Sequence, residues 1–170
     1  MPRPRPAAGA VVKGDYRYLL WRTFGSPGGR LLFVMLNPST ADASWDDPTV
    51  RRCIRFGAAL GYGSLEICNL FALRATDPRE ILQHDDPIGP ENDSHIRDAL
   101  SRASTVVAAW GALARHSRIA RRVLQVREML ACKHEVHALA LTKFGCPRHP
   151  LYLPRSQTLT PYNAIVRSPT

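Results

Sequence analysis

Several uncharged polar side chains stand just past short apolar runs in this chain. Asn37, Ser39 and Thr40 follow the run Leu31–Leu36, Asn69 sits at the end of Leu65–Leu70, and His149 lies in the segment after Val136–Leu141. An amide offers a donor and an acceptor side by side, and an imidazole can give or take a proton near neutral pH. Aromatic and arginine residues surround them: Trp45, Phe71, Arg74, Trp110, Phe144, Arg148 and Tyr152. Other chemistries lack their signatures. There is no G-x-x-x-x-G-K-[ST] phosphate loop, no G-x-G-x-x-G turn, and no H-x-E with C-x-x-C. A nucleoside triphosphatase, a dinucleotide enzyme and a zinc base deaminase are thereby disfavoured. Asp42, Asp46 and Asp47 could supply a general base or a metal site, though helix capping by Asp47 and simple solvation are the plainer reading. His84, His95, His116, His134 and His137 follow no ligand spacing and read as structural or surface residues. The expectation is a site with no metal and no cofactor.

The elements that must position these groups alternate along the chain. The runs Leu31–Leu36, Leu65–Leu70, Thr105–Trp110 and Val136–Leu141 have the length and apolar content of buried strands. Tyr16–Phe24 is a weaker strand segment. It is placed to form a hairpin with the first run through Gly25–Arg30, which carries three Gly and a Pro. Asp47 before Pro48 signals a helix start, and Gly61 ends its pattern. Further helical patterns cover Pro90–Ala103 and Ala112–Cys132. The latter places Ile119, Val123, Val126 and Leu130 inward and Arg115, Arg118 and Arg122 on a solvated face. Alternating strands and helices predict an α/β fold: a three-layer sandwich around a mostly parallel, four-stranded sheet. Ligands of such sheets bind beyond the carboxyl ends of the strands, where the polar groups collect.

At 170 residues the chain suits one domain over 1–170, with a loose basic arm over 1–12 and a tail over 156–170. No apolar run reaches the roughly 20 residues of a membrane helix, and the N-terminus lacks the apolar centre of a secretory signal. Cys53, Cys68, Cys132 and Cys146 have no C-x-x-C spacing and read as reduced, mostly buried thiols. The expected setting is cytoplasmic, in the nucleoid-associated pool of a bacterium, and the expected state is a monomer. The net charge is +9, and 20 of the 23 basic residues are Arg. That excess favours a polyanion, and nucleic acid is the natural partner.

Four segments carry a resemblance. Val34-Met35-Leu36-Asn37-Pro38-Ser39 resembles the first motif of the uracil-DNA glycosylase superfamily, in the G-I-N-P-G form of its mismatch-specific branch. Cys68–Leu73 resembles the strand end whose Asn reads the uracil edge. Thr105–Ala114 resembles the superfamily's step from hydrophobic strand through Gly to helix. His149-Pro150-Leu151-Tyr152-Leu153-Pro154 resembles its last motif, usually H-P-S before a Leu-bearing loop. The order matches, over roughly Leu31 to Pro154. The chain also resembles a bacterial family with an M-L-N-P-S-T-A-D opening, here Met35–Asp42, and a G-x-P-x-H-P-L-Y-L ending, here Gly145–Leu153. Two positions depart from the superfamily pattern: Asn37 stands where the founding branch has an acid, and Leu151 where it has Ser.

The resemblance implies a uracil-DNA glycosylase-like fold. It also implies an enzyme that flips uracil, and other deaminated bases, out of single- or double-stranded DNA and hydrolyses the glycosidic bond, starting base excision repair. His149 would donate to the leaving base and Asn37 would orient the water. Asn69 would read the base edge with Leu36 beside it. Trp45, with Phe71 and Phe56 as further candidates, would stack on the base. Leu151, Tyr152 or Leu153 would wedge into the vacated stack, and Ser39, Lys143, Arg148 and Arg155 would contact DNA phosphates. Two alternatives stand beside this: another base- or nucleoside-modifying enzyme on the same scaffold, and a non-catalytic binder of damaged or single-stranded DNA.

Overall fold

The computed structural model describes residues 7–133 and 135–162. Among the described residues seven strands form one mixed sheet: β1 (Ala8–Lys13), β2 (Tyr16–Thr23), β3 (Arg30–Met35), β4 (Ser64–Asn69), β5 (Thr105–Ala108), β6 (Val136–Ala138) and β7 (Thr160–Pro161). Their order across the sheet is β1-β2-β4-β3-β5-β6-β7. The fold is α/β, but the sheet is not the four-stranded one expected. The four apolar runs do pair in parallel, β4 with β3, β3 with β5 and β5 with β6. Antiparallel strands extend them: β1 and β2 on one side, β7 on the other.

Two expectations about the flanks change. The hairpin between Tyr16–Phe24 and the first run does not form. Both edges of β3 are taken by β4 and β5, so β2 pairs with β4 instead, Leu20 opposite Ile67. Nor is residues 1–12 a loose arm throughout, because Ala8–Lys13 is strand β1, joined to β2 across a Gly14 turn at φ 57°. Residues 1–6 of that arm, His134, and residues 163–170 of the tail lie outside the described residues.

Three α-helices connect the parallel strands: α1 (Pro48–Ala59), α2 (Asn92–Arg102) and α3 (Ser117–Leu130). The sheet's period-2 alternation sends successive side chains to opposite faces. From β3, Leu32 and Val34 pack with Ile96, Leu100, Ile119 and Val126 of α2 and α3. Leu31, Phe33 and Met35 pack with Val50, Cys53 and Phe56 of α1. Helices therefore cover both faces, giving three layers. Phe56, a stacking candidate, belongs to this core.

The helix expected over Ala112–Cys132 is broken. A 3-10 turn, Ala112–Arg115, precedes α3, and His116 caps α3 by accepting from the Arg118 N–H. The solvated face expected for its arginines also fails at Arg122. That side chain is buried and donates to the Leu70 carbonyl at 2.8 Å and to Asp93. Cys53 and Cys68 are buried free thiols, Cys132 is exposed and Cys146 intermediate. Among the described residues, no helix is long and apolar enough to cross a membrane.

Candidate functional site

The chain leaves β3 through α1 on one face of the sheet, and leaves its neighbour β5 through α3 on the other. Connections that diverge from adjacent parallel strands open a crevice at their carboxyl ends. A cavity of about 430 Å³ lies there. Met35 at the end of β3 and Leu36–Ser39 after it, Asn69 at the end of β4, Trp110–Leu113 after β5, and His149, Leu151 and Tyr152 of the last segment all line it.

The first wall is the loop from Leu36 to Asp47, and it is pinned from inside. Arg17 Nη1 donates to the Ala41 carbonyl at 2.9 Å. Arg22 donates to the Asp42 carbonyl at 2.6 Å and pairs with Asp46 at 2.7 Å. Arg74 donates to the carbonyls of Ser39 and Thr40. Asp47 closes the loop, accepting from the Val50 N–H at 2.9 Å as the α1 cap and from the Ala41 N–H at 3.2 Å. A loop held through its carbonyls by guanidinium forks is preorganised.

Within this frame Asn37 Nδ2 donates to the Ala75 carbonyl at 2.9 Å and the Pro38 carbonyl at 3.1 Å. Both amide hydrogens are thereby committed, and Oδ1 is left as an acceptor. Asn69 is the converse case. Its residue is 1% exposed, and its Nδ2 has no hydrogen-bond partner. A buried amide donor left unsatisfied costs about 1–3 kcal/mol, and this one stands at a residue that lines the cavity.

His149 comes from a segment joined to β5 by the Gly111 N–H, which donates to the Pro147 carbonyl at 2.8 Å. Gly111 has φ 81°, a conformation that favours glycine. His149 Nδ1 accepts from the Leu151 N–H at 3.2 Å, which places the neutral ring's proton on Nε2. Burial lowers the imidazole pKa from its ordinary 6.5, against the opposing field of Asp47. The ring is therefore a neutral N–H donor at pH 7. The Tyr152 ring stands 5.9 Å from it, and Tyr152 is 75% exposed at the rim.

The cavity thus gathers Leu36, Asn37, Ser39, Asn69, His149, Leu151 and Tyr152 of the residues read from the sequence. Others go elsewhere. Phe71 is 2% exposed in the core shared with α2 and α3, so it cannot stack on a ligand. Leu153 is buried in the α1 core and is not a wedge. Trp45 is 60% exposed on the outer turn of the loop, away from the cavity lining. Lys143, Arg148 and Arg155 are exposed and do not line the cavity. Among the described residues there is no group of three or more His, Cys, Asp or Glu placed to hold a metal ion.

Two charged lining residues were not legible as such: Arg17 and Asp47. Asp47 is identifiable from sequence as a cap, and the structure adds that it faces the cavity. Arg17 carries one signal, a cation inside an otherwise apolar strand segment, Tyr16–Leu20. It is 3% exposed, and burial pushes its pKa down to about 10, with Asp47 opposing and Arg74 and Arg22 adding to the fall.

The cavity lies at the topological switch point of a three-layer α/β domain and joins apolar walls to a few polar groups, the kind of place where such folds bind small ligands. The chain belongs to the family described as Protein of unknown function (DUF1643), whose model matches residues 17–151. That match spans every residue lining the cavity except Tyr152. No curated protein and no solved structure matches the chain.

Proposed function

We propose that the protein is a DNA glycosylase on a uracil-DNA glycosylase-like scaffold, excising uracil from DNA. The observation that carries this reading is Asn69: a buried, unpartnered amide lining the same cavity as Asn37 and a neutral His149. An imide edge alternates acceptor and donor, and an amide alone among neutral side chains answers both.

Each step then falls to a named group. The flipped base enters between Leu36, Val50, Ile67 and Trp110, which line the cavity with apolar surface. Asn69 reads its edge. As the glycosidic bond breaks, negative charge grows on the base, and His149 Nε2–H donates to the carbonyl oxygen where it collects. Asn37 Oδ1 accepts a hydrogen from the water that adds to the sugar carbon. An acid is not essential at this position, because a leaving group stabilised as an anion makes the sugar strongly electrophilic. Tyr152 and Leu151, at the rim, are the residues available to fill the space the base vacates. Ser39, Lys143, Arg148 and Arg155 supply contacts to phosphates.

The test is an end-labelled oligonucleotide carrying one uracil, incubated with the protein in chelator and then treated with alkali. Cleavage at uracil, absent with thymine and with His149→Ala, is the expected result. No cleavage of either single- or double-stranded substrate would overturn the reading. Release of base from free deoxyuridine without DNA would favour a nucleoside hydrolase instead. Tight, salt-sensitive DNA binding without turnover would favour a non-catalytic binder.

A further inference from the structure

Arg17 plays no part in the steps above, yet it is a buried cation that lines the cavity. Its guanidinium is buried and makes one hydrogen bond, from Nη1 to the Ala41 carbonyl. Nε is buried with no partner. Arg22 pairs with Asp46 and Arg122 with Asp93, but among the described residues Arg17 makes no ion pair. The nearest compensation is the longer-range field of Asp47, whose two oxygens are already bonded to the N–H groups of Val50 and Ala41. Two further cations, Arg22 and Arg74, act against it. A buried charge without a partner is strongly unfavourable, so the position calls for an anion that the protein does not itself supply. Holding the Ala41 carbonyl needs only a neutral donor.

We propose that Arg17 is the anion-binding group of this cavity, and that the bound ligand carries a delocalised negative charge on a planar, oxygen-bearing edge. Arg17 and the orphaned Asn69 amide both line the cavity, so a fixed cation and a donor–acceptor pair are offered to one ligand. The assignment rests on the glycosylase reading for the identity of that ligand, which is the departing base. In that reaction the bond from the sugar carbon to the base nitrogen breaks. Its electron pair leaves with the base, giving an anion spread over ring nitrogen and carbonyl oxygens. Water adds to the sugar carbon, and the proton it releases returns the base to neutrality. Arg17 keeps its proton throughout. It favours the anion over the neutral base, and therefore the transition state over the substrate.

The test compares two free pyrimidines of nearly the same outline by calorimetry at pH 7. Uracil is neutral there, and barbiturate is an anion. Nitrate serves as a small planar anion without a base edge. Wild-type protein is expected to bind barbiturate about tenfold or more tighter than uracil, with nitrate competing against barbiturate. Arg17→Gln should abolish that preference, and Arg17→Lys should retain part of it. The wild-type comparison stands on its own if Arg17→Gln fails to fold. Uracil bound as tightly as barbiturate, or a preference surviving in Arg17→Gln, would overturn the role of Arg17 while leaving the glycosylase reading intact. Barbiturate and nitrate bound through Arg17 without uracil would keep the anion site and overturn uracil as the ligand. Binding of none of the three would overturn the anion site.

Discussion

On the proposed glycosylase reading His149 and Asn69 do different work, and their variants should separate. His149 meets charge that exists only while the bond is breaking, so His149→Ala should lower turnover by roughly 10²–10³-fold and leave DNA affinity nearly unchanged. Single-turnover excision and anisotropy binding check the two halves. Equal losses in both would assign His149 to binding. On that reading Asn69→Ala removes the edge reader and should reduce preference for uracil over cytosine, whose edge reverses the donor and acceptor; unchanged preference would take Asn69 out of the recognition step. Acid adds a third test. His149 is neutral in the fold because burial lowers its pKa below the ordinary 6.5. A depressed pKa stabilises the folded state fully above the unfolded value and loses that stabilisation as pH falls through the folded one. Excision and melting temperature should both be flat above pH 6.5 and decline below it. The Leu151 N–H bond to Nδ1 is lost on protonation, so the His149→Ala protein should lack this component. A decline of the same size in that variant would place the titrating group elsewhere.

At the level of elements, the Leu36–Asp47 loop and the start of α1 form one unit through Asp47. Its carboxylate caps α1 at Val50 and holds Ala41, so Asp47→Ala removes two buried acceptor contacts. The expected loss is about 2 kcal/mol, or a melting temperature lower by roughly 4–8 °C. Asp47→Ser restores the cap alone and should recover about half, as judged by thermal denaturation. No difference between the two variants would mean that capping contributes nothing at this terminus. The asymmetry of capping is visible across the helices. Asp47 caps α1 and His116 caps α3 through side chains, while Glu91 before α2 makes no side-chain cap bond. α2 instead starts from Asn92, whose amide donates to the carbonyls of Asn69 and Leu70. That contact fixes the end of β4, the strand that carries the cavity-lining Asn69, from the opposite face of the sheet.

Across the whole molecule the surplus of arginine divides into two populations. Arg17, Arg22, Arg74 and Arg122 point inward and hold backbone carbonyls. Arg102 pairs with the buried Glu66 at 3.1 Å. Apart from Arg17, which also lines the cavity, these residues carry architecture, and the arginine count overstates the charge available to a polyanion. The exposed population includes Arg51, Arg55, Arg97 and Arg121 on the helices and, around the last segment, Lys143, Arg148 and Arg155; Arg115 stands 3.7 Å from the ring centroid of exposed Phe144. On the DNA reading, affinity should fall linearly in log–log form with salt at a slope of about −3 to −4, matching a few phosphate contacts rather than the full basic content. A slope near zero in a salt titration would remove the phosphate contacts from the proposal.

The four buried parallel strands, the α1 cap and the polar residues at the strand ends follow from local pattern, whereas β1 and β7 do not. Apolar runs of strand length, Asp47 before Pro48, and Gly61 act over a few residues, so a linear reading captures them. The same reading placed Asn37, Asn69 and His149 near one another, because side chains beyond parallel strand ends share one edge of the sheet. It could not place Phe71, Leu153 or Trp45. Whether an aromatic or leucine in a loop faces core or cavity depends on which helix layer lies above it, a contact between residues far apart in sequence. The partner of β2 was equally hidden, since it depended on β4 and β5 having already taken both edges of β3. Arg17 is the clearest case. Its place in an apolar strand is visible in the chain, but only the packing of β2 against the Asp47 loop buries that cation at the cavity with no ion-pair partner among the described residues.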